Sequence, residues 1–158
     1  MEKIDRRLAL ALIGGTAAAA SLPRLAAAQA RDYVVWRDAG CGCCSHWAKR
    51  IEAAFGKPLP VIDSPDMAAV KRARGVPAAL HSCHTALIGG YAIEGHVPPA
   101  DIKRLIASGD RKVKGLAVAG MPVGSPGMDV GHQNKQPFDV VAFGSDGRQS
   151  VFASHNKG

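Results

Sequence analysis

The sequence predicts a small α/β domain that carries a Gly/Pro/Met-rich loop and ends in an added β-hairpin. Three observations predict it. Between Tyr33 and Gly109, short β-favouring apolar runs alternate with helical patterns in the order strand, helix, strand, helix, strand, strand, helix. From Gly115 to Met128 the chain has no helical spacing and is dense in Gly and Pro. Finally, the runs Phe138–Phe143 and Ser150–Phe152 flank Gly144-Ser145-Asp146-Gly147, a hairpin pattern. A length of 158 residues without internal repeats fits one domain.

The chain begins differently from the rest. Lys3, Arg6 and Arg7 precede an apolar, Ala-rich run from Leu8 to Leu22, and Ala28-Gln29-Ala30 is a small-x-small site. This is the order of a secretory signal peptide, with cleavage expected after Ala30. It divides the chain into a leader, 1–30, and a mature domain, 31–158. A membrane anchor needs roughly 20 apolar residues; this run is shorter and Arg24 follows it. No membrane span is therefore expected after cleavage. Arg6-Arg7 admits the twin-arginine route beside the general one.

Within the mature chain, Tyr33-Val34-Val35-Trp36 reads as a buried strand. The loop Cys41-Gly42-Cys43-Cys44 follows, and a helix is expected from Ser45, with Trp47, Ile51, Ala54 and Phe55 on one face and Gly56 as its stop. Cys44, three residues before Trp47, shares that inward face. Leu59-Pro60-Val61-Ile62 reads as a second strand. Ser64-Pro65-Asp66 is a helix start with a capping Ser, and Met67, Val70 and Ala73 form its apolar face up to Gly75. After Val76-Pro77, the runs Ala86-Leu87-Ile88 and Tyr91-Ala92-Ile93 flank Gly89-Gly90, another hairpin signal, and Cys83 is expected on the first of these strands. Pro98-Pro99 opens a helix with Ile102, Leu105 and Ile106 inward, closed by Ser108-Gly109.

Removing the leader's four basic and two acidic residues leaves 16 Lys and Arg against 11 Asp and Glu, a net charge of about +5. The charges are scattered. Lys71-Arg72-Ala73-Arg74 and Arg111-Lys112-Val113-Lys114 are local clusters with few aromatics nearby, so they read as solvated faces and no nucleic acid is expected as a partner.

The chemistry concentrates in sulfur and imidazole. Three of four cysteines fall within four residues, at the junction of a strand and a helix, where N–H groups and the helix dipole favour thiolate. In an exported protein four cysteines would ordinarily form two disulfides. A loop as small as this one constrains the unfolded chain little when it is bridged, so the clustering points to chemistry more than to stapling. The candidate residues are Cys41, Cys43, Cys44, Cys83, His84, His96, Met121 and Met128. Thiolate, imidazole and thioether together suit copper ions, above all Cu(I). A zinc ribbon would need two C-x-x-C knuckles, and only one such pair is present. Each candidate also has a plain structural reading: His84 as a local turn bond, His96 as a loop residue, Met121 and Met128 as loop anchors. His46, His81, His132 and His155 belong to no cluster and default to structural or surface roles.

The element order is similar to the thioredoxin fold. On that resemblance Cys41-Gly42-Cys43-Cys44 stands where the family has C-G-P-C, and Val76-Pro77 matches its cis-proline. The extra Cys43 and the lack of a Trp directly before Cys41 depart from the pattern. Taken together, Cys41-Gly42-Cys43-Cys44, Ser82-Cys83-His84-Thr85-Ala86, Tyr91-Ala92-Ile93-Glu94-Gly95-His96-Val97-Pro98 and Gly120-Met121-Pro122-Val123-Gly124-Ser125-Pro126-Gly127-Met128 resemble the CopG-type copper-resistance family, an exported predicted metal-binding domain. The resemblance covers nearly all of the mature chain. It implies a thioredoxin-like fold, export to the periplasm and a multinuclear copper centre held by Cys41, Cys43, Cys44 and Cys83, with a Cu(I)/Cu(II) redox role.

Three functions follow as expectations. The first is an exported copper-binding protein of copper resistance, acting as a copper oxidoreductase if it changes the metal's oxidation state, with periplasmic copper-handling proteins as partners. The second is a periplasmic thiol–disulfide oxidoreductase, with Cys41 as nucleophile and Cys44 resolving; Cys43 argues against it as a competing partner. The third is a small binding domain with two disulfides.

Overall fold

A seven-stranded mixed sheet runs through the middle of the protein, seen in a computed structural model that describes residues 32–129, 131 and 134–157. The expected leader, its cleavage point and His132 lie outside the described residues. The elements are β1 (Tyr33–Arg37), α1 (Gly42–Phe55), β2 (Val61–Asp63), α2 (Met67–Arg74), a 3-10 turn at Ala78–Leu80, β3 (His84–Ile88), β4 (Tyr91–Glu94), α3 (Pro99–Ser108), β5 (Val113–Ala117), β6 (Phe138–Gly144) and β7 (Gln149–His155). The strand order is β2-β1-β3-β4-β5-β6-β7. The pairs β1–β2 and β4–β5 are parallel, and the other neighbours are antiparallel. Among the described residues no helix is long and apolar enough to cross a membrane.

Strand alternation sorts the side chains into two faces. Val35, Ala86, Ile93, Leu116 and Ala142 are successive cross-strand partners and share the main core with Trp47 and Ile51 of α1 and Ile102 and Leu105 of α3. Trp47 is wholly buried and its indole N–H donates to the Val97 carbonyl at 2.9 Å, so the large ring enters the core without an orphaned donor. On the opposite face, Ala92, Ala117 and Phe143 pack with Val76 and Leu80.

Several details depart from the sequence expectations. Helix α1 starts at Gly42 rather than Ser45, so Cys43 and Cys44 lie in its first turn and Cys41 is the N-cap residue. Of the expected inward face, Trp47 and Ile51 are buried, whereas Ala54 and Phe55 are only half-buried. Of the second strand only Leu59 is buried; Val61 and Ile62, on the sheet edge, are 43% and 45% exposed. The cap of α2 is Asp66, which accepts from the Ala69 N–H at 2.8 Å, and Ser64 accepts from the Asp66 N–H at 3.3 Å. Its inward stripe is Met67 and Lys71, while Ala73 is exposed. Lys71 therefore leaves the solvated cluster assigned to it, because a buried partner awaits it. The Val76–Pro77 bond is trans, and no cis peptide occurs among the described residues. There Val76 N–H donates to Lys71 O at 3.0 Å and Leu80 N–H to Pro77 O at 2.9 Å, which carries the chain into the 3-10 turn. Cys83 immediately precedes β3 instead of lying on it.

Strand β5 went unread in the sequence because Gly115 breaks its apolar pattern. A Cβ at Gly115 would come within 2.0 Å of the Ala92 carbonyl and 2.6 Å of the Phe143 ring. The residue is small because two neighbouring elements close on that point.

Candidate metal centre

The turn after β1 delivers the first cysteines. Arg37, the last residue of β1, donates through Nη1 to the Cys41 carbonyl at 3.0 Å and to the Ser45 hydroxyl. Its Nε is 2.9 Å from Asp63 Oδ1 at the end of β2. The guanidinium thus ties the cysteine turn to the sheet edge. Cys41 and Cys44 are disulfide-bonded across the first turn of α1, and Cys43 and Cys83 are free thiols. The Cys43 sulfur lies 3.5 Å from that of Cys41 and 4.0 Å from that of Cys83. All four sulfurs fall within 4.8 Å of one another.

Cys83 belongs to a second group as well. Its sulfur is 3.3 Å from His84 Nδ1 and 3.0 Å from His96 Nε2. Both imidazoles are fully buried. His84 leans on the Trp47 ring at 4.3 Å between centroids and meets His96 edge-on at 5.1 Å. His96 Nδ1 donates to the Pro126 carbonyl at 2.8 Å, which leaves the Nε2 lone pair facing Cys83. His84 Nε2 is buried without a hydrogen-bond partner among the described residues.

Burial sets the electrostatics. It holds His84 well below the ordinary imidazole range, with His96 and then Lys71 adding to the effect. Burial likewise lowers His96, against a smaller opposing pull from the Pro126 carbonyl. The Cys83 thiol is pushed up to about 12, first by burial and then by Cys43. Both imidazoles are therefore neutral and able to donate lone pairs. Cys83 becomes a strong ligand only when a cation replaces its proton.

The Gly/Pro/Met segment crosses this site as a strap. Gly127, at φ 88°, lies so close to α1 that a Cβ there would come within 2.9 Å of both the Cys43 carbonyl and the Trp47 nitrogen. Asp129 accepts from the Gly127 N–H at 3.2 Å and pairs with Arg50 of α1 at 2.7 Å. Ser82 donates to the Gly120 carbonyl at the other end. Met128 is half-buried beside Gly127, with its N–H on Ser125 O at 2.8 Å. Met121 is 52% exposed. Thus the cysteines and the two histidines are brought together, whereas Met121 points its apolar surface to solvent. Of the remaining histidines, His46 is exposed, His81 lies 3.4 Å from the Val76 carbonyl and His155 pairs with Asp101 at 2.7 Å.

Sequence reasoning missed the groups that hold these ligands. Arg37 is one. Glu94 is another; it lies at the end of an apolar run and is fully buried against Lys71 at 2.5 Å. An acid closing an apolar strand was the available signal, and only the distant lysine explains it.

A four-cysteine cluster with adjoining imidazoles on a mixed α/β scaffold defines a candidate soft-metal site. Two solved structures are similar to this chain, forms 1 and 2 of a copper resistance protein, CopG. Each is 45% identical with a TM-score of 0.71; the match covers 77% of this chain and 94% and 95% of theirs. A family model described as a protein of unknown function, DUF411, matches residues 80–128. No curated protein matches. The chain belongs to the CopG copper-resistance family.

Proposed function

We infer that the chain is an exported copper-binding protein of copper resistance. Cys41, Cys43, Cys44 and Cys83 act as thiolate ligands, His84 and His96 as imidazole donors, and Met128 as a weaker thioether donor at the strap, while the solvent-facing Met121 is not assigned to the site. The observation that carries this reading is that one residue, Cys83, serves both a four-sulfur group and a two-imidazole group. Four thiolates with neutral imidazoles fit Cu(I) by softness, and Cu(II) is served by the imidazoles. Copper, when bound, would supply a one-electron Cu(I)/Cu(II) couple, and the protein's part is to keep both donor types within reach and to limit water through the strap.

The parallel β1–β2 pair followed by the antiparallel β3–β4 hairpin supports a thioredoxin-like reading of residues 33–108. We also propose the division into a signal peptide, 1–30, and a mature periplasmic domain, 31–158. N-terminal sequencing of the exported protein tests that division.

With Cys41 and Cys44 oxidised, two thiolates are withheld, so the fully reduced protein should bind more Cu(I) than the oxidised one. The same disulfide favours the second reading, a thiol–disulfide oxidoreductase with Cys41 as nucleophile. Cys43→Ser separates the two. On the copper reading it lowers Cu(I) stoichiometry, measured by metal analysis of reduced protein, and leaves no appreciable dithiol reductase activity to lose. A variant that binds copper like the parent and retains reductase activity would transfer the assignment to the oxidoreductase.

A further inference from the structure

One buried carboxylate grips both ends of the Ser82-Cys83-His84-Thr85 segment. Glu94 Oε1 accepts from the Ser82 backbone N–H at 2.6 Å, and its Oε2 accepts from the Thr85 hydroxyl at 2.6 Å. Lys71 of α2 fixes the carboxylate in turn, at 2.5 Å from Oε1, and donates to Thr85 Oγ1 at 3.2 Å. Lys71, Glu94 and Thr85 are all buried. Thr85 and Glu94 are also direct cross-strand partners. The Cys83 side chain and the His84 ring therefore hang between two fixed points, and both points are set by one residue.

The location is informative. Strand alternation puts Thr85 and Glu94 on the α2 face of the sheet, opposite Ala86 and Ile93. His84 is on the α1 face, against Trp47. The ion pair therefore touches neither the sulfurs nor the imidazoles through its charged atoms. It sits directly behind them, where it acts through the backbone it holds and, beyond contact distance, through the charge of Lys71 on His84. A buried ion pair is a poor device for stability alone, because apolar residues of similar size commonly do as well. It is a good device for holding ligands at fixed spacing, as outer partners of metal ligands do.

We propose that Glu94, held by Lys71, is a positioning residue for the Cys83–His84 ligand pair, tuning the site's affinity for a soft monovalent cation. This rests on the copper reading for its ligand but not for its geometry. The experiment compares two double variants with the parent. Glu94→Leu/Lys71→Met replaces the ion pair by an apolar pair and removes both grips. Glu94→Gln/Lys71→Met removes the charges but keeps an acceptor for the Ser82 N–H and a partner for Thr85. Cu(I) affinity is measured by chelator competition on the reduced proteins, and Cys83 alkylation is followed by peptide mass spectrometry on the metal-free proteins.

The expected result is that Glu94→Leu/Lys71→Met, folded, binds Cu(I) about 10-fold to 100-fold more weakly, the range typical of a lost outer partner. Its Cys83 alkylates faster. Glu94→Gln/Lys71→Met recovers most of both losses, which a purely structural ion pair would not produce. If the folded Leu/Met variant binds Cu(I) and alkylates like the parent, the proposal is overturned. If that variant does not fold, Thr85→Val decides, since it removes one grip and leaves the ion pair; unchanged affinity and alkylation there also overturn the proposal. A parent that binds no Cu(I) would remove the copper reading alone, and the alkylation rates of the three proteins would still judge the positioning role, equal rates overturning it.

Discussion

Cys41 and Cys43 reach the site from a partly exposed helix start, whereas His84 reaches it from the start of β3 and His96 from the buried bend just after β4. The two halves are held differently. On the helix side, the clamp is Arg37, 17% exposed, paired with Asp63, 51% exposed. On the strand side it is Glu94 with Lys71, both buried. The helix side also contains the one disulfide between described residues, Cys41–Cys44. The strand side has its histidine tautomer set by Pro126 and its backbone set by Glu94. Exposed ion pairs contribute little and are screened by salt, whereas a buried pair cannot lose one partner cheaply. The difference suggests a division of labour: a fixed half that presents neutral donors, and an adaptable half whose Cys41 and Cys44 sulfurs form a disulfide when oxidised and become available as ligands only after a two-electron reduction by an external thiol.

The largest effect expected from this division falls on the residue that joins the halves. Cys83 is shared by the four-sulfur and the imidazole groups. Cys83→Ser should therefore reduce bound Cu(I) more than Cys41→Ser or Cys44→Ser does, and by more than the roughly 10-fold to 100-fold in affinity that losing an outer partner costs. Metal analysis and chelator competition on the reduced proteins check this. Equal losses for all four cysteines would mean one undivided cluster and would dissolve the comparison.

The helix half was far more legible in the sequence than the strand half. Cys41-Gly42-Cys43-Cys44 announces itself by spacing, and Cys44 shares the buried face with Trp47 as the three-residue offset implies. The apolar runs that became β1, β3, β4 and α3 follow from local periodicity. What the sequence hides is set by contacts far along the chain. Lys71 looked solvated within a basic run, and only Glu94, 23 residues later, makes its burial tolerable. Gly115 looked like loop because its reason is the approach of Ala92 and Phe143. The strap was readable as irregular, but its seat on α1 depends on Gly127 meeting Cys43 and Trp47. Local pattern carries the elements, and non-local charge and close approach carry the support of the site.

A moderate effect should appear with pH, and it belongs to the buried half. In the unfolded chain His84 and His96 take up protons near pH 6.5. In the folded protein burial holds both below their ordinary value. As the pH falls below about 6.5, the unfolded state binds more protons than the folded one. The stabilisation is complete above that point and is lost as the pH falls toward the folded values. Each histidine contributes a slope of at most about 1.4 kcal/mol per pH unit in that window. Urea unfolding of reduced, metal-free protein between pH 7 and pH 5 measures it. His84→Phe keeps an aromatic ring against Trp47 and should visibly flatten the profile, because His84 is the more strongly lowered of the two. A flat profile in the parent would show that the buried half takes up protons freely, and its claim to be the fixed half would fail.

The smallest effect is expected at the exposed clamp. Asp63→Ala removes the carboxylate 2.9 Å from Arg37 Nε but leaves the guanidinium donating to the Cys41 carbonyl. An exposed pair of this kind contributes about 0.2–1 kcal/mol and is screened by salt. Stability should fall by no more than that at low ionic strength, and the difference from the parent should shrink as salt is added. Cu(I) affinity should stay within about twofold, because the Cys41 turn keeps its bond to Arg37 and Ser45 N–H still donates to Cys41 O at 3.3 Å. Denaturant unfolding at two salt concentrations and chelator competition together make the test. A loss above about 2 kcal/mol, well beyond an exposed pair, or a tenfold fall in affinity would place the helix half under constraint as tight as the strand half. The adaptable character assigned to its sulfurs would then have to be given up.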